Sequence, residues 1–288
     1  MGEFLAAWGV NLFVTVNLAA ATAAYLAGVH RVDSAQRTRR TRWPRWQTAC
    51  FLAGVLALAL VYLGPIDAWA HTFFWAHMTQ HLVVTMAAAP LLVLGAPITL
   101  AFRASGPVNR RRIVRALRSR TVHWLTDPIV TWLLFAGMLL SFHFTGFYDW
   151  VLANHGAMVM VEQPLFLGIA VLYYLPLVGS NLLARRPTHA QRLISLGLMM
   201  IPEATIGAVI YFSPVVLYDG YDVARPFGLE PLPDQQLSGA LMWGLVMVID
   251  SFWMMFVAGD WFSSEERRSQ REDRRREREE MERAAPTA

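Results

Sequence analysis

Apolar residues fall into long runs along the 288-residue chain, separated by polar and arginine-rich stretches. Crossing about 30 Å of hydrocarbon takes roughly 20 mostly apolar residues in a helix. Seven runs meet that requirement: residues 4–29, 47–66, 77–101, 128–150, 156–179, 193–212 and 237–261. None of them contains an arginine. The first follows Glu3 rather than a basic segment and is too long for the core of a cleaved signal, so it reads as a span. The pattern predicts an all-α, polytopic membrane protein. Its seven transmembrane helices occupy residues 1–262, and a charged tail occupies 263–288.

The charged residues set an expected orientation. All 25 basic residues are arginine. Six lie in residues 30–46, seven run from Arg103 to Arg120, three are Arg185, Arg186 and Arg192, and eight are in the tail. Only Arg225 falls on the other side. The positive-inside rule then places the N-terminus outside and the C-terminus in the cytoplasm. The absence of lysine excludes Schiff-base chemistry and a P-loop lysine. A single cysteine, Cys50, excludes disulfide frameworks, Cys-rich zinc modules and Cys-x-x-Cys motifs.

Two cytoplasmic segments have their own character. Val108–Arg120 sets Ile113, Val114 and Leu117 among arginines, as in an amphipathic helix on anionic lipid headgroups. The tail carries eight acids and eight arginines over residues 263–283 and reads as a solvated single helix. Ser263 with Glu266 fits a capping box at its start, and Glu272 with Arg276 fits an i, i+4 pair. No nucleic-acid partner is expected.

With this topology five of the eight histidines fall in the outer half: His71, His77, His81, His143 and His155. His77 and His81 stand four residues apart, so their imidazoles share one helix face and suit a shared metal ion. Met78, Met86, Met158 and Met160 lie in the same half. Imidazole with thioether favours copper, particularly Cu(I). The competing reading is a satisfied histidine pair and methionine as core filler.

Three acids lie within the spans. Glu162 is in the outer half, while Glu203 and Asp250 are near mid-depth, with no span arginine to neutralise them. An acid at a helix centre costs about 2.5–3.5 kcal/mol on insertion scales, so Glu203 and Asp250 are expected to be protonated or hydrogen-bonded. Pro90, Pro97, Pro164 and Pro202 predict irregular helices whose freed backbone groups find partners on neighbours. Residues 213–236 form a long outer loop with four acids, one arginine, Tyr218 and Tyr221. Such a loop suits a cation or a partner protein, or simply anchors helix ends at the interface.

Several ordered strings carry a family resemblance. His77-Met78-Thr79-Gln80-His81-Leu82 is followed by Ala89-Pro90-Leu91-Leu92-Val93-Leu94-Gly95-Ala96-Pro97, then Ser213-Pro214 and Leu217-Tyr218. Pro231-Leu232-Pro233-Asp234-Gln235-Gln236-Leu237-Ser238-Gly239 and Met242-Trp243 complete the set. Over residues 70–262 the chain resembles the CtaG family of polytopic bacterial cytochrome c oxidase assembly proteins. The resemblance implies a plasma-membrane accessory factor, not an enzyme, that partners cytochrome c oxidase subunits and serves copper delivery or insertion. The chain reads Glu162-Gln163-Pro164 where the family pattern has a histidine after the glutamate.

The expected ligands of a copper ion are His77, His81 and Met78, with His71, His143, His155, Met158 or Met160 completing the set. Two other classes fit parts of the pattern. One is a membrane-bound b-type cytochrome with His81 and His143 as haem ligands. The other is a proton- or cation-coupled transporter built on Glu203 and Asp250.

Overall fold

The computed structural model describes residues 8–9, 11–35, 42–146, 150, 154, 158–179, 186–223 and 228–284. Helix α1 (Leu12–Ser34) starts at Asn11, whose side chain accepts the Val14 amide, and α2 (Arg45–Leu63) follows. A short α3 (Pro65–Trp69) turns the chain into α4 (Phe74–Leu82), which runs through a π-helical segment, Val83–Ala88, into α5 (Ala89–Leu94). Next come α6 (Pro97–Ala104), α7 (Pro107–Leu117) and α8 (Arg120–Leu125).

Helix α9 (Pro128–Phe144) begins at Asp127, whose carboxylate accepts the Ile129 and Val130 amides. A second π segment, Met158–Glu162, opens α10 (Gln163–Val178). Helix α11 (His189–Phe212) starts in a capping box between Thr188 and Gln191. After a 3₁₀ turn at Asp219–Tyr221 come α12 (Pro231–Ala240), a third π segment at Leu241–Leu245, and α13 (Val246–Ala284).

Among the described residues there is no strand, and six helical stretches are long and apolar enough to cross a membrane. The run expected over residues 128–150 gives a shorter apolar helix, the 17 residues of α9. The protein is a multi-pass membrane protein whose most buried helix is the broken α4–α5 stretch. That stretch packs on α2, α10 and α12.

Hydrocarbon offers no hydrogen-bonding solvent, so each polar group in such a bundle needs an internal partner. Tyr25 shows how the Gly95-Ala96-Pro97 string is held. Its ring stacks on Phe51 with centroids 3.8 Å apart, and its hydroxyl donates to Gly95 O (2.8 Å) and accepts from Trp43 Nε1 (3.0 Å). Ala96 next to it is left-handed, with φ of 48°, which ends α5 before Pro97.

At the opposite end of α4–α5 lies the segment expected to be an outer loop. Tyr218 and Tyr221 are buried rather than interfacial. Tyr221 donates to Ala70 O (2.9 Å) and Tyr218 to His143 O (3.3 Å).

The tail departs from expectation. Helix α13 is continuous across the end of the apolar run, so Ser263 is an interior residue and no capping box forms with Glu266. At about 1.5 Å per residue its 39 residues span about 58 Å, well beyond a bilayer. Glu272 pairs with Arg268 (3.1 Å) rather than Arg276, and Arg275 pairs with Glu279 (2.8 Å). In α7 the face bearing Ile113, Val114 and Leu117 is half-buried while its arginines are exposed, as amphipathicity requires.

Helices α11 and α12 cross at two glycines. A methyl group on Gly239 would lie 2.5 Å from Tyr211 N and 2.7 Å from Gly207 O, both backbone atoms that cannot swing aside. Gly168 faces open space. Gly239→Ala is expected to cost about 1–3 kcal/mol through overpacking, read as a lower unfolding temperature in detergent. Gly168→Ala, in the interior of α10, should not lower that temperature.

Candidate metal centre

His77 and His81 lie one turn apart on α4, as their spacing predicts. Glu162 reaches them from the π segment that opens α10. His77 Nε2 and His81 Nε2 are 2.6 Å apart, and Glu162 Oε1 is 3.3 Å from the first and 3.2 Å from the second. The side chains of His77 and Glu162 are 1% exposed and that of His81 is 15% exposed. Among the described residues this is the one group of three histidine, cysteine or acidic side chains whose ligand atoms all converge within 4.8 Å.

The protein's own protons satisfy this arrangement poorly. One proton shared between the two Nε2 atoms serves the imidazole pair but leaves the carboxylate unserved. Both Glu162 oxygens are buried with no hydrogen-bond partner of good geometry, and leaving a buried carboxylate so costs several kcal/mol. A triangle of these edges is small enough for one point, about 2.0–2.2 Å from all three atoms, to lie just off its plane. Two imidazoles and a carboxylate are donors suited to Zn, Cu, Fe or Ni.

The surroundings fix the three side chains. Phe166 stacks on the His81 ring at 4.1 Å and is met edge-on by Phe142 at 4.8 Å. Gln80 Nε2 donates to Val61 O (2.7 Å) and to Asp67 Oδ1 (2.8 Å), tying α4 to the end of α2 and to α3. Asp234, fully buried at 0% exposure, accepts the Phe74 amide (2.8 Å) and the Trp75 amide (3.0 Å). A carboxylate from α12 thus caps the helix that carries both histidines, where orphan amides and the helix dipole favour negative charge. Gln235 beside it accepts the Leu217 amide (2.7 Å) and donates to Val215 O (2.9 Å).

Both ligand-bearing helices contain a π segment, at Val83–Ala88 just past His81 and at Met158–Glu162. Such turns add a residue and re-aim the side chains around them, and they recur at functional sites. Near the first, Trp253 Nε1 donates to Met86 O (2.9 Å).

Among the described residues no further histidine, cysteine or acid joins these three ligand atoms. Met78 is buried in the main core among residues such as Phe74, and Met86 packs with Leu82 and Val246. Met160 is 57% exposed. His71 is half-buried between α3 and α4. His143 uses Nδ1 on Leu139 O (2.7 Å) and sits close enough to His81, His77 and Glu162 to feel their charge. His155 lies outside the described residues, and so does the side chain of Met158. Glu162 is the member of the cluster that sequence reasoning placed nearby without including it among the expected ligands. A lone acid in an arginine-free run was the available signal. Asp234 was seen only as one of four loop acids, although the proline-rich start of α12 could have marked it as fixed.

The other two span acids meet each other. Glu203 and Asp250 are buried and joined by a side-chain hydrogen bond, which requires that one of them carry a proton. Glu203 Oε2 and Asp250 Oδ2 have no partner.

A buried two-histidine, one-carboxylate cluster in a multi-pass helical bundle defines a membrane protein equipped to hold a metal ion. Residues 23–264 match the family described as the cytochrome c oxidase caa3 assembly factor (Caa3_CtaG). The chain belongs to this family, in agreement with the resemblance in its sequence strings.

An uncharacterized protein of Mycobacterium leprae is 25% identical over 282 residues, covering 94% of this chain and 42% of the relative. One of Mycobacterium bovis is 28% identical over 263 residues, covering 84% and 38%. The chain therefore spans about two fifths of the length of these relatives. No solved structure matches the chain.

Asp234→Ala leaves two helix-end amides without their acceptor. Hydrogen bonds to a charged group contribute about 1.5–3 kcal/mol each. A clear fall in unfolding temperature is expected, with Asp234→Asn intermediate because the amide keeps one accepting oxygen.

Proposed function

We propose that the protein is a plasma-membrane assembly factor for a haem–copper terminal oxidase and holds one copper ion between His77, His81 and Glu162. The observation that carries this reading is the convergence of two imidazole nitrogens and a buried carboxylate oxygen within 3.3 Å of one another. Family membership supplies the oxidase, and an assembly factor implies a non-catalytic role. Oxidase subunits are the intended partners.

The arginine distribution supports an orientation with α4 starting on the outer side and α13 ending in the cytoplasm. The copper site then opens outward through His81, the most exposed of the three ligands. The exposed arginines of α7 face anionic lipid headgroups at the cytoplasmic surface. Two imidazole nitrogens and a carboxylate oxygen suit Cu(II) better than Cu(I).

A bis-histidine haem through His81 is less favoured. Its Nε2 already has His77 and Glu162 atoms within 3.2 Å, where a macrocycle would have to sit.

Purified protein equilibrated with copper should retain one ion per chain by elemental analysis. The double change His77→Ala with His81→Ala should abolish retention, and Glu162→Gln should weaken it at least about tenfold, since outer partners alone cost 10–100-fold. Cells lacking the gene should lose oxidase activity and oxidase copper together. Unchanged stoichiometry in the double variant would remove the site, and normal oxidase in the deletion strain would remove the role.

A further inference from the structure

Where α6 meets α7, an open groove of about 690 Å³ lies at the arginine-rich end of the bundle. Its lining includes Phe102 and Val114, both half-buried, and Arg111, Arg115 and Arg118, all exposed. Arg110 holds the junction together. Its Nε donates to Phe102 O (3.1 Å) and its Nη2 to Arg103 O (2.9 Å), which answers carbonyls in the last turn of α6. Its guanidinium also lies 5.5 Å from the centroid of the Phe102 ring.

The other three arginines have no such employment. No acid occurs in the sequence between Asp67 and Asp127. Among the described residues none of the three pairs with an acid from elsewhere, whereas Arg192 meets Asp260 (2.8 Å) and Arg275 meets Glu279 (2.8 Å). At i, i+4 and i+7 they share one face of α7, and like charges so spaced destabilise a helix. The positive-inside rule asks only for arginines on this side of the membrane. It does not require them to line up beside an apolar floor.

We infer that this groove binds one phospholipid whose headgroup carries two phosphates. Arg111, Arg115 and Arg118 hold the phosphates, and Phe102 with Val114 receives the start of an acyl chain. This assignment rests on the proposed placement of α7 at the anionic cytoplasmic surface, and narrows it to one site and one class of lipid. Guanidinium groups suit phosphate because they can bond it bidentately. The three arginines extend over seven residues, about 10 Å of helix rise. A single phosphodiester brings one charge to one point of that row, whereas two phosphates on a short linker distribute charge along it. Basic pockets on the cytoplasmic side of membrane proteins commonly take such headgroups. The apolar floor favours a lipid over a free phosphate.

The test is native mass spectrometry of the full chain released from nanodiscs holding equal amounts of phosphatidylcholine, phosphatidylglycerol and diphosphatidylglycerol. One diphosphatidylglycerol per chain should be retained, at least about tenfold in preference to phosphatidylglycerol, the scale of one further charge-assisted contact. The triple change Arg111→Gln, Arg115→Gln and Arg118→Gln should erase that preference without lowering the unfolding temperature, since all three side chains are exposed. Arg267→Gln with Arg271→Gln and Arg274→Gln removes the same charge from α13 and should leave the preference intact. Excess inorganic pyrophosphate should not displace the lipid. Equal retention of the two anionic lipids overturns the inference while leaving α7 at an anionic surface, and retention of neither removes both. A preference that survives the α7 changes, falls equally with the α13 changes, or yields to pyrophosphate also overturns it.

Discussion

The functional end of this protein depends on one carboxylate. Asp234 is completely buried, and its two oxygens accept the first amides of the helix that presents His77 and His81. A buried anion is tolerable only where donors replace its water, and a helix N-terminus supplies both amides and a favourable dipole. The contact joins α12 to α4 across 160 residues of sequence. It makes the last span part of the scaffold for the histidines. It also explains why the preceding segment folds inward: with Asp234 fixed, Gln235 holds Leu217 and Val215, and Tyr221 reaches Ala70.

The spans were legible because hydropathy acts over whole runs of about 20 residues and tolerates local irregularity. The pairing of His77 with His81 was legible for the same kind of reason, since one helical turn is a fixed geometric step. The third member of the cluster was not. Glu162 comes from another helix, and its aim depends on a π segment that no hydropathy pattern announces. Helix periodicity gives the wrong face wherever one extra residue is inserted. Pro90 and Pro164 marked the neighbourhoods of two such segments but not the rotation they allow.

Methionine is hard to place from sequence for a different reason. A thioether makes no hydrogen-bonding demand, so Met78 and Met86 can be buried against phenylalanine or leucine at no cost. Proximity in sequence to a histidine therefore says little about where a methionine points. Carboxylates carry more information, because an acid in hydrocarbon must be answered by something specific. Each of the four buried acids received an answer: amides for Asp234, imidazoles beside Glu162, and each other for Glu203 and Asp250.

Those answers differ in what they leave over. Asp234 is paired with two donors and needs nothing further. Glu203 and Asp250 resolve the absence of a nearby cation by sharing a proton, which neutralises half of the pair and joins α11 to α13. Glu162 lies between two nitrogens that cannot both donate to it while standing 2.6 Å apart, since their own protons would then collide. Of the three arrangements, only this one brings two imidazole nitrogens and a carboxylate oxygen together at one point. The sequence places similar acids at all three positions, and it is the neighbouring groups that make one a cap, one a proton-sharing pair and one part of a cluster that could hold a metal ion.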